Sequence, residues 1–237
     1  MRAKEQADAI NRMVGNLKYY DCPECNNKGY IAEADGDAVT IRKCICREKR
    51  HTLELIEKSG LKFILERYSF GTFDTGKPWR KNAYEKALRY AESPFGWWYM
   101  CGKPSTGKTH LCTAICSRYI DKGASVRYMV WRDDVPKLKA MITDAEAYSK
   151  AMGDLKNADV LYIDDFLKGD ITKADLNLAF ELLNARYIRP ESITLISSER
   201  SIEDVLDIDE AIGSRIYERS KQNCIRTQGG NWRLGYD

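Results

Sequence analysis

Residues 102–109 have the sequence Gly-Lys-Pro-Ser-Thr-Gly-Lys-Thr, which matches the pattern G-x-x-x-x-G-K-[ST] at every fixed position. Glycines at 102 and 107 permit a tight backbone turn, so that successive N–H groups can point toward the β- and γ-phosphates of a nucleotide. Lys108 adds a positive charge, and the hydroxyl of Thr109 can ligate Mg²⁺. The stretch therefore predicts a phosphate-binding loop.

The flanking residues fit this prediction. Residues 97–101 (Trp-Trp-Tyr-Met-Cys) are wholly apolar, which predicts a buried parallel strand, and residues 110–120 predict a helix. A chance match in a loop without function is the alternative, and a strand before the motif with a helix after it argues against that alternative.

A second apolar run, residues 158–165, ends in two carboxylates, Asp164 and Asp165. The pattern predicts a buried strand that delivers charge to the same cleft. Asp164 is expected to hold Mg²⁺ through water together with Thr109, and Asp165 to orient or deprotonate an attacking water. The predicted nucleotide-binding residues are Gly102, Lys103, Pro104, Ser105, Thr106, Gly107, Lys108, Thr109, His110 and Asp164.

Strand and helix patterns alternate over residues 97–227. Further strands are predicted at 125–131, 193–199 and 223–226, and helices at 133–157, 174–188 and 209–221. The expected fold class is α/β, with a parallel sheet covered by helices and ligands at the carboxyl ends of the strands. Glu199, at one strand end, is expected near the γ-phosphate, where a polar side chain can sense or position water.

Length and composition limit the number of domains, the partners and the cellular location that we expect. A chain of 237 residues with 43% hydrophobic residues can form one α/β domain and one small appendage. The net charge of +3 does not by itself indicate a nucleic-acid partner. We find no transmembrane or signal segment pattern, and we expect a cytoplasmic protein without a membrane partner. In that reducing setting, we expect the eight cysteines to be metal ligands or buried thiols in preference to disulfides.

Cysteines near the N-terminus have the spacing of a metal site. They occur as Cys22-x-x-Cys25 and Cys44-x-Cys46, two corners that offer the four sulfur ligands Zn²⁺ favours. We predict a structural zinc site, with His51 as a reserve ligand because Cys-x-Cys strains a chelate. Unliganded thiols and a redox pair are the alternatives. Residues 1–65 are expected to form a small domain that folds on metal binding, and residues 66–237 the nucleotide-binding domain.

Two basic segments are candidate nucleic-acid contacts. Residues 42–50 contain five basic residues, and residues 131–139 combine Trp131 and Arg132 with Lys137 and Lys139. Bases stack on aromatic rings while lysine and arginine follow phosphates, so the second segment predicts a single-stranded DNA contact. A solvated helix start for the first segment, and a core position for Trp131, are the alternatives.

Several of these motifs together resemble one protein family. The phosphate loop, the strand ending in Asp164-Asp165, residues 196–200 (Ile-Ser-Ser-Glu-Arg) and residues 213–219 (Gly-Ser-Arg-Ile-Tyr-Glu-Arg) resemble the AAA+ ATPases that load replicative helicases, the DnaC/DnaI type, and the related transposition helper ATPases. The cysteine segment before the ATPase core resembles phage or bacterial members of the group. The resemblance extends over nearly the whole chain from residue 20.

The resemblance implies a function and partners. It implies ATP hydrolysis to ADP and phosphate, and ATP-dependent delivery of a hexameric replicative DNA helicase to single-stranded DNA, with the N-terminal domain docking on the helicase. It also implies that Arg215 is an arginine finger for the nucleotide of a neighbouring subunit, and hence a homo-oligomer. A surface Arg215 paired with Glu210 or Glu218 is the alternative.

The sequence departs from the family pattern at two positions. Asp165 replaces a more common Glu, and Glu199 stands where Asn or Asp is more familiar. Both departures concern the rate of hydrolysis more than the binding of ATP. A nucleotide-occupancy adaptor with negligible hydrolysis, and a transposition helper acting on duplex DNA, therefore stay open as alternative functions. Arg233 is a weak candidate for a second nucleotide-sensing arginine.

Overall fold

The computed structural model describes residues 2–58 and 62–230. The chain divides into two compact units, one formed by Met1–Lys62 with Ile120–Ser125 and the other by Phe63–Tyr119 with Val126–Asp237. Within the described ranges, no helix has both the length and the apolar character needed to cross a membrane.

The described part of the first unit contains two helices and a hairpin. Its elements are α1 (Arg2–Arg12), β1 (Tyr30–Asp35), β2 (Ala38–Lys43) and α2 (Cys46–Lys58). Strands β1 and β2 pair antiparallel, and Gly36 (φ 61°) forms the turn between Asp35 and Ala38. Helix α1 ends at Arg12, and Val14 beyond it is exposed.

The second unit begins with a short helix, a 3₁₀ turn and a longer helix, and strands and helices then follow one another. Its elements are α3 (Lys62–Arg67), a 3₁₀ turn (Phe70–Thr72), α4 (Pro78–Glu92), β3 (Trp98–Cys101), α5 (Lys108–Asp121), β4 (Val126–Val130), α6 (Trp131–Ala140), α7 (Ala145–Asn157), β5 (Val160–Asp164), α8 (Lys173–Tyr187), β6 (Ile193–Ser198), α9 (Ile202–Ile208), α10 (Glu210–Ser220) and β7 (Cys224–Arg226).

The predicted parallel sheet is confirmed. Within the described part of the chain, five strands pair in the order β4-β5-β6-β3-β7, and every pairing is parallel. Every residue of β3 and β5 is buried, as expected for strands covered on both faces. Because β5, β6 and β3 are neighbours, their carboxyl ends bring Asp164, Ser198 and the phosphate loop to one edge of the sheet.

The helices differ in detail from the sequence prediction. The single helix expected over 133–157 is two helices, because Asp144 caps a new one by accepting a hydrogen bond from Ala147 N at 3.0 Å. Asp209 caps α10 in the same way, accepting from Ile212 N at 2.9 Å, and α9 precedes it. Trp131, expected to end a strand, begins α6.

A buried arginine lies at the amino-terminal ends of strands β5 and β6. Arg186, at the end of α8, is fully buried and donates to Ala158 O at 2.8 Å and Ile193 O at 2.7 Å. It also donates to the hydroxyl of Thr194. Burial lowers the pKa of Arg186 to about 10, and the carbonyl partners replace the water that the guanidinium loses. This residue has a structural role in joining α8 to β5 and β6.

Candidate functional site

The phosphate loop joins the buried strand β3 to the N-terminus of α5. Gly102 has φ 134° and Gly107 has φ 95°, backbone conformations that side chains disfavour. A Cβ at Gly102 would lie 2.1 Å from Thr227 Oγ1, and one at Gly107 would lie 2.9 Å from Phe73 Cε2. Both glycines are therefore required by backbone conformation and by space.

Lys108 is held inside the loop that precedes it. Its side chain is only 6% exposed, and Nζ donates to Gly102 O and Lys103 O, each at 2.8 Å. Burial lowers the pKa of Lys108, while the nearby carboxylates of Glu199, Asp165 and Asp164 oppose that shift. The loop thus places one ammonium group at the N-terminus of α5, where the helix dipole and free N–H groups also favour an anion.

Asp164 lies next to the loop at the end of β5. Thr109 Oγ1 donates to Asp164 Oδ1 at 3.3 Å, and Tyr128 Oη donates to Asp164 Oδ2 at 2.8 Å. Ser197 Oγ donates to the same carboxylate from β6. The side chains of Thr109 and Asp164 are the hard oxygen ligands that Mg²⁺ accepts, and Ser197 and Tyr128 orient the carboxylate.

The cleft beyond Asp164 contains the other two acidic residues predicted for the site. Asp165 and Glu199 both line it, together with Pro104, Ser105, Gly107, Lys108, Thr109 and His110. Both carboxylates are ion-paired with Lys168, at 3.1 Å for Asp165 and 2.8 Å for Glu199. The cleft has a volume of about 300 Å³, at the lower end of the range for small-molecule sites.

Residues from α4 and the segment that leads into it, which the sequence did not identify as site residues, also line the cleft. They are Arg67, Tyr68, Thr72, Phe73, Asp74 and Arg80. Tyr68 stacks on His110 with 4.7 Å between ring centroids, and Phe73 meets His110 edge to face. Burial lowers the pKa of His110, and its Nε2 donates to Ser69 O at 2.8 Å. Phe70 and Phe73 are both buried, and these two aromatic residues within 69–74 were the available sequence signal for this part of the cleft.

The donor set fits a magnesium nucleotide. An ammonium group and a helix N-terminus suit the phosphates, a hydroxyl beside a carboxylate suits Mg²⁺, and ring faces suit a base. Lys103 and Thr106 stabilise the conformation of the loop. Thr106 Oγ1 donates to Lys103 O at 2.9 Å and accepts from Thr227 Oγ1 at 2.8 Å.

In the first unit, Cys22, Cys25, Cys44 and Cys46 form a cluster. All four side chains are buried and their sulfur atoms lie within 4.8 Å of one another. The Cys22–Cys44 and Cys25–Cys46 sulfur separations are 3.7 and 3.4 Å. A tetrahedral Zn²⁺ with bonds of about 2.3 Å places its sulfurs about 3.8 Å apart, so the cluster has the size of a zinc site.

The backbone around the cluster turns toward the thiols. Asn26 (φ 48°) and Asn27 (φ 65°) form the tight turn, and Gly29 N donates to Cys25 Sγ at 3.2 Å. Although burial opposes it, this hydrogen bond and those from the neighbouring thiols lower the pKa of Cys25 to about 7. Burial raises the pKa of Cys44, a cost that a bound cation offsets.

Three further expectations from the sequence can be compared with the described contacts. His51 is exposed and is not part of the described cysteine cluster, so it is not a fourth ligand there. Arg50, a candidate phosphate contact, is 6% exposed and donates to Leu17 O at 2.6 Å, which is a structural role. Trp131 is 4% exposed and packs edge to face on Phe166, so the prediction that it stacks on DNA bases is wrong.

Arg215 lies on α10, outside the residues that line the cleft. Its Nε donates to Asn184 Oδ1 at 3.0 Å and Nη1 to Ala211 O at 2.7 Å. The guanidinium lies 4.8 Å from the ring centroid of Phe180 and 5.5 Å from that of Tyr187. Among the described contacts, the partners of Arg215 are therefore neutral, and neither Glu210 nor Glu218, considered as the alternative, forms an ion pair with it. Arg233 lies outside the described residues.

The parallel sheet, the glycine-rich loop and the Thr109–Asp164 pair define a P-loop nucleotide-binding protein with an AAA+ type of fold. Comparison with family models identifies the family within this class. Residues 36–234 match the model described as IstB-like ATP binding protein, and the chain belongs to this family.

Relatives with similar sequences include two Bacillus subtilis (strain 168) proteins. YqaM is 33% identical over 213 residues, which cover 82% of this chain and 66% of YqaM. The phage-like element PBSX protein XkdC is 30% identical over 233 residues, 92% of this chain and 86% of XkdC. The replicative helicase loader DnaC of Escherichia coli (strain K12) is 24% identical, over 69% of this chain and 67% of DnaC.

Solved structures share the fold. The crystal structure of the DnaC helicase loader aligns with a TM-score of 0.60 at 18% identity, covering 70% of this chain and 99% of that one. The crystal structure of DnaI aligns with a TM-score of 0.58 at 20% identity, covering 71% and 92%. The resemblance to the DnaC/DnaI type and the predicted fold class are thus confirmed.

Proposed function

We propose that the chain is an ATP-dependent helicase loader, which binds a replicative hexameric DNA helicase and delivers it to single-stranded DNA during replication initiation. The observation that carries the proposal is the 3.3 Å contact of Thr109 with Asp164 beside the phosphate loop, because a magnesium nucleotide needs this hydroxyl and carboxylate together. The similarity to the replicative helicase loader DnaC supports the finer assignment.

The site residues have separate roles in this proposal. The loop N–H groups and Lys108 bind the phosphates, and Thr109 and Asp164 hold Mg²⁺, which neutralises charge on the β- and γ-phosphate oxygens. Asp165 accepts a proton from the attacking water, and Glu199 orients that water. We expect slow hydrolysis that partners or DNA modulate, since Asp is shorter by one methylene than the Glu more common at position 165.

The homo-oligomer is proposed from Arg215. A guanidinium offers fixed planar donors for phosphate oxygens, and Asn184 and the ring of Phe180 already orient this one. We propose that it reaches the nucleotide of a neighbouring subunit. Equal mixing of Lys108→Ala and Arg215→Ala chains should restore part of the hydrolysis that each lacks alone, and no restoration would contradict a shared site.

The zinc-binding unit is the proposed docking module for the helicase. Residues 1–65 include the four buried cysteines, and we propose that Zn²⁺ bound by Cys22, Cys25, Cys44 and Cys46 stabilises this unit. The chain's net charge of +3 gives little support to a purely electrostatic partner, which is consistent with a protein surface as its target.

The test is capture of the source organism's replicative helicase by the immobilised full chain, with and without Mg-ATP. We expect retention with the wild-type chain, and reduced ATP dependence with Lys108→Ala as the matched control. A wild-type chain that does not bind the helicase but binds duplex DNA tightly would favour a transposition helper. Helicase binding without any ATP turnover, in the presence or absence of single-stranded DNA, would favour the occupancy adaptor.

A further inference from the structure

A lysine lies between the two carboxylates at the phosphate end of the cleft. The side chains of Lys168, Asp165 and Glu199 are 32%, 34% and 35% exposed, so the group faces the cleft instead of the core. The hydrogen bond to Glu199, and after it the one to Asp165, raises the pKa of Lys168 above its ordinary value. Its side chain is therefore a cation at neutral pH.

The turn that carries Lys168 is strained and firmly held. Asp165 (φ 53°) and Leu167 (φ 55°) both have left-handed backbones, which non-glycine residues adopt only at a cost in free energy. Phe166 N donates to Ser197 O at 2.9 Å, and Arg200 Nε donates to Leu167 O at 2.8 Å. The side chains of Phe166 and Leu167 are fully buried.

This backbone arrangement points to a function for the turn. Strained conformations persist only where the surroundings fix them, and they cluster at functional sites. The turn places residues 165 and 168 on the same side, and Lys168 N donates to Asp165 O at 3.1 Å. Position 168 is thus fixed relative to Asp165 before any ligand binds.

The electrostatics of the cleft call for a cation at this point. Asp164, Asp165 and Glu199 bring three carboxylates close to Lys108, and a triphosphate adds further negative charge. Without Lys168, the carboxylates of Asp165 and Glu199 would repel one another and the phosphate, and neither would have a fixed direction. Lys168 supplies both the charge and the geometric constraint.

We propose that Lys168 is a positioning residue for ATP hydrolysis, which holds the carboxylates of Asp165 and Glu199 around the attacking water. In that step the water oxygen bonds to the γ-phosphorus, and the bond from this phosphorus to the β–γ bridging oxygen breaks with its electron pair leaving on ADP. The proton of the water passes to Asp165. The inference rests on the proposed function, since it assigns a role within the same site.

The experiment compares steady-state hydrolysis and calorimetric Mg-ATP binding for Lys168→Met, Lys168→Arg and the wild-type chain. We expect Lys168→Met to lower kcat at least about tenfold, in line with a displaced general base, while KM and Kd change less than about threefold. Lys168→Arg should recover part of kcat. Lys173→Met, which removes an exposed lysine from the start of α8, is the matched control and should leave all constants unchanged.

Each contrary outcome has a definite meaning. An unchanged kcat in Lys168→Met, or a rise in Kd without a fall in kcat, would overturn the inference, and the second would show that Lys168 binds phosphate instead. An equal loss in Lys173→Met would also overturn it. A wild-type chain that hydrolyses ATP with the same kcat as Lys168→Met contradicts the role of Lys168 alone. A wild-type chain that binds ATP without turnover favours the occupancy adaptor, and one that does not bind ATP contradicts the proposed function itself.

Discussion

Thr109 and Asp164 belong to different elements, the first turn of α5 and the last residue of β5, and Thr109 Oγ1 donates to Asp164 Oδ1 at 3.3 Å. The parallel order of β5, β6 and β3 produces this contact, because it brings the end of β5 to the loop that follows β3. The two oxygen atoms form one side of the proposed magnesium site.

Asp164→Asn should weaken the magnesium-dependent part of ATP binding. The amide keeps the shape of the side chain and removes its charge, and loss of one charged ligand is expected to lower affinity about tenfold to a hundredfold. Calorimetric titration with ATP, with Mg²⁺ or with EDTA, measures this. Asp170→Asn, at an exposed position a few residues away, should bind as the wild type does. Equal affinities for Asp164→Asn and wild type would place Mg²⁺ elsewhere.

Gly102→Ala should damage the loop through two separate effects. Its φ of 134° disfavours a side chain, and the added Cβ would lie 2.1 Å from Thr227 Oγ1. Gly169→Ala is the matched control, because Gly169 has φ 90° with nothing within 4 Å of the added Cβ.

We expect the control to lose about 1–2 kcal/mol of unfolding free energy from backbone strain alone. Gly102→Ala should lose about 1–3 kcal/mol more, the usual range for overpacking, and should bind ATP poorly. Denaturant unfolding of both variants measures the difference. Similar losses would mean that Thr227 moves away without cost.

Zinc removal should unfold the first unit. We expect about one zinc ion per wild-type chain by atomic emission, and loss of this zinc in Cys25→Ser, because the other thiols then lack a tetrahedral set. Limited proteolysis should then cleave the variant within residues 2–58 while the ATPase unit stays intact. Cys224→Ser changes a cysteine outside the cluster and should retain zinc. A wild-type chain that takes up no zinc under reducing conditions would disprove the site.

Acid should destabilise the fold through His110. Burial lowers the pKa of this histidine in the folded chain, so the unfolded chain binds the proton at a higher pH. Stability is therefore present above the ordinary pKa of histidine, and it falls as the pH drops from there toward the lowered folded-state value. Thermal midpoints of His110→Asn should fall less than those of the wild type over this window.

The chain's second histidine provides the control. His51 is exposed, so His51→Asn should follow the wild-type pH dependence of the thermal midpoint. If His110→Asn and His51→Asn behaved alike, burial of the His110 ring would not be the cause of the acid sensitivity.

The sheet and its loop were predictable because their signals are local. Apolar runs at 97–101 and 158–165 mark the buried strands, and the glycine and lysine spacing marks the loop between strand and helix. The cysteine cluster was also predictable, since ligand spacing limits the chelate. The break at Asp144 was missed because a capping residue inside an amphipathic pattern is ambiguous until its hydrogen bond is seen.

The site residues that the sequence did not identify depend on tertiary structure. Tyr68 and Phe73 come from a segment before α4, and only folding brings their rings to His110. Lys168 could have been noticed as a cation three residues after Asp165, yet the strained turn that points it back has no sequence signature in its non-glycine residues. Trp131 was a candidate DNA contact from its sequence neighbours, but the fold packs it in the core against Phe166.

Binding of Mg-ATP to Lys108→Ala, measured by calorimetry beside the wild-type chain, tests the central claim most directly. The claim is that the Lys108 ammonium group, buried at the start of α5, binds the nucleotide phosphates. We predict that affinity falls at least about tenfold, while Lys221→Ala, at an exposed position, binds like the wild type. Undiminished affinity in Lys108→Ala would contradict the account.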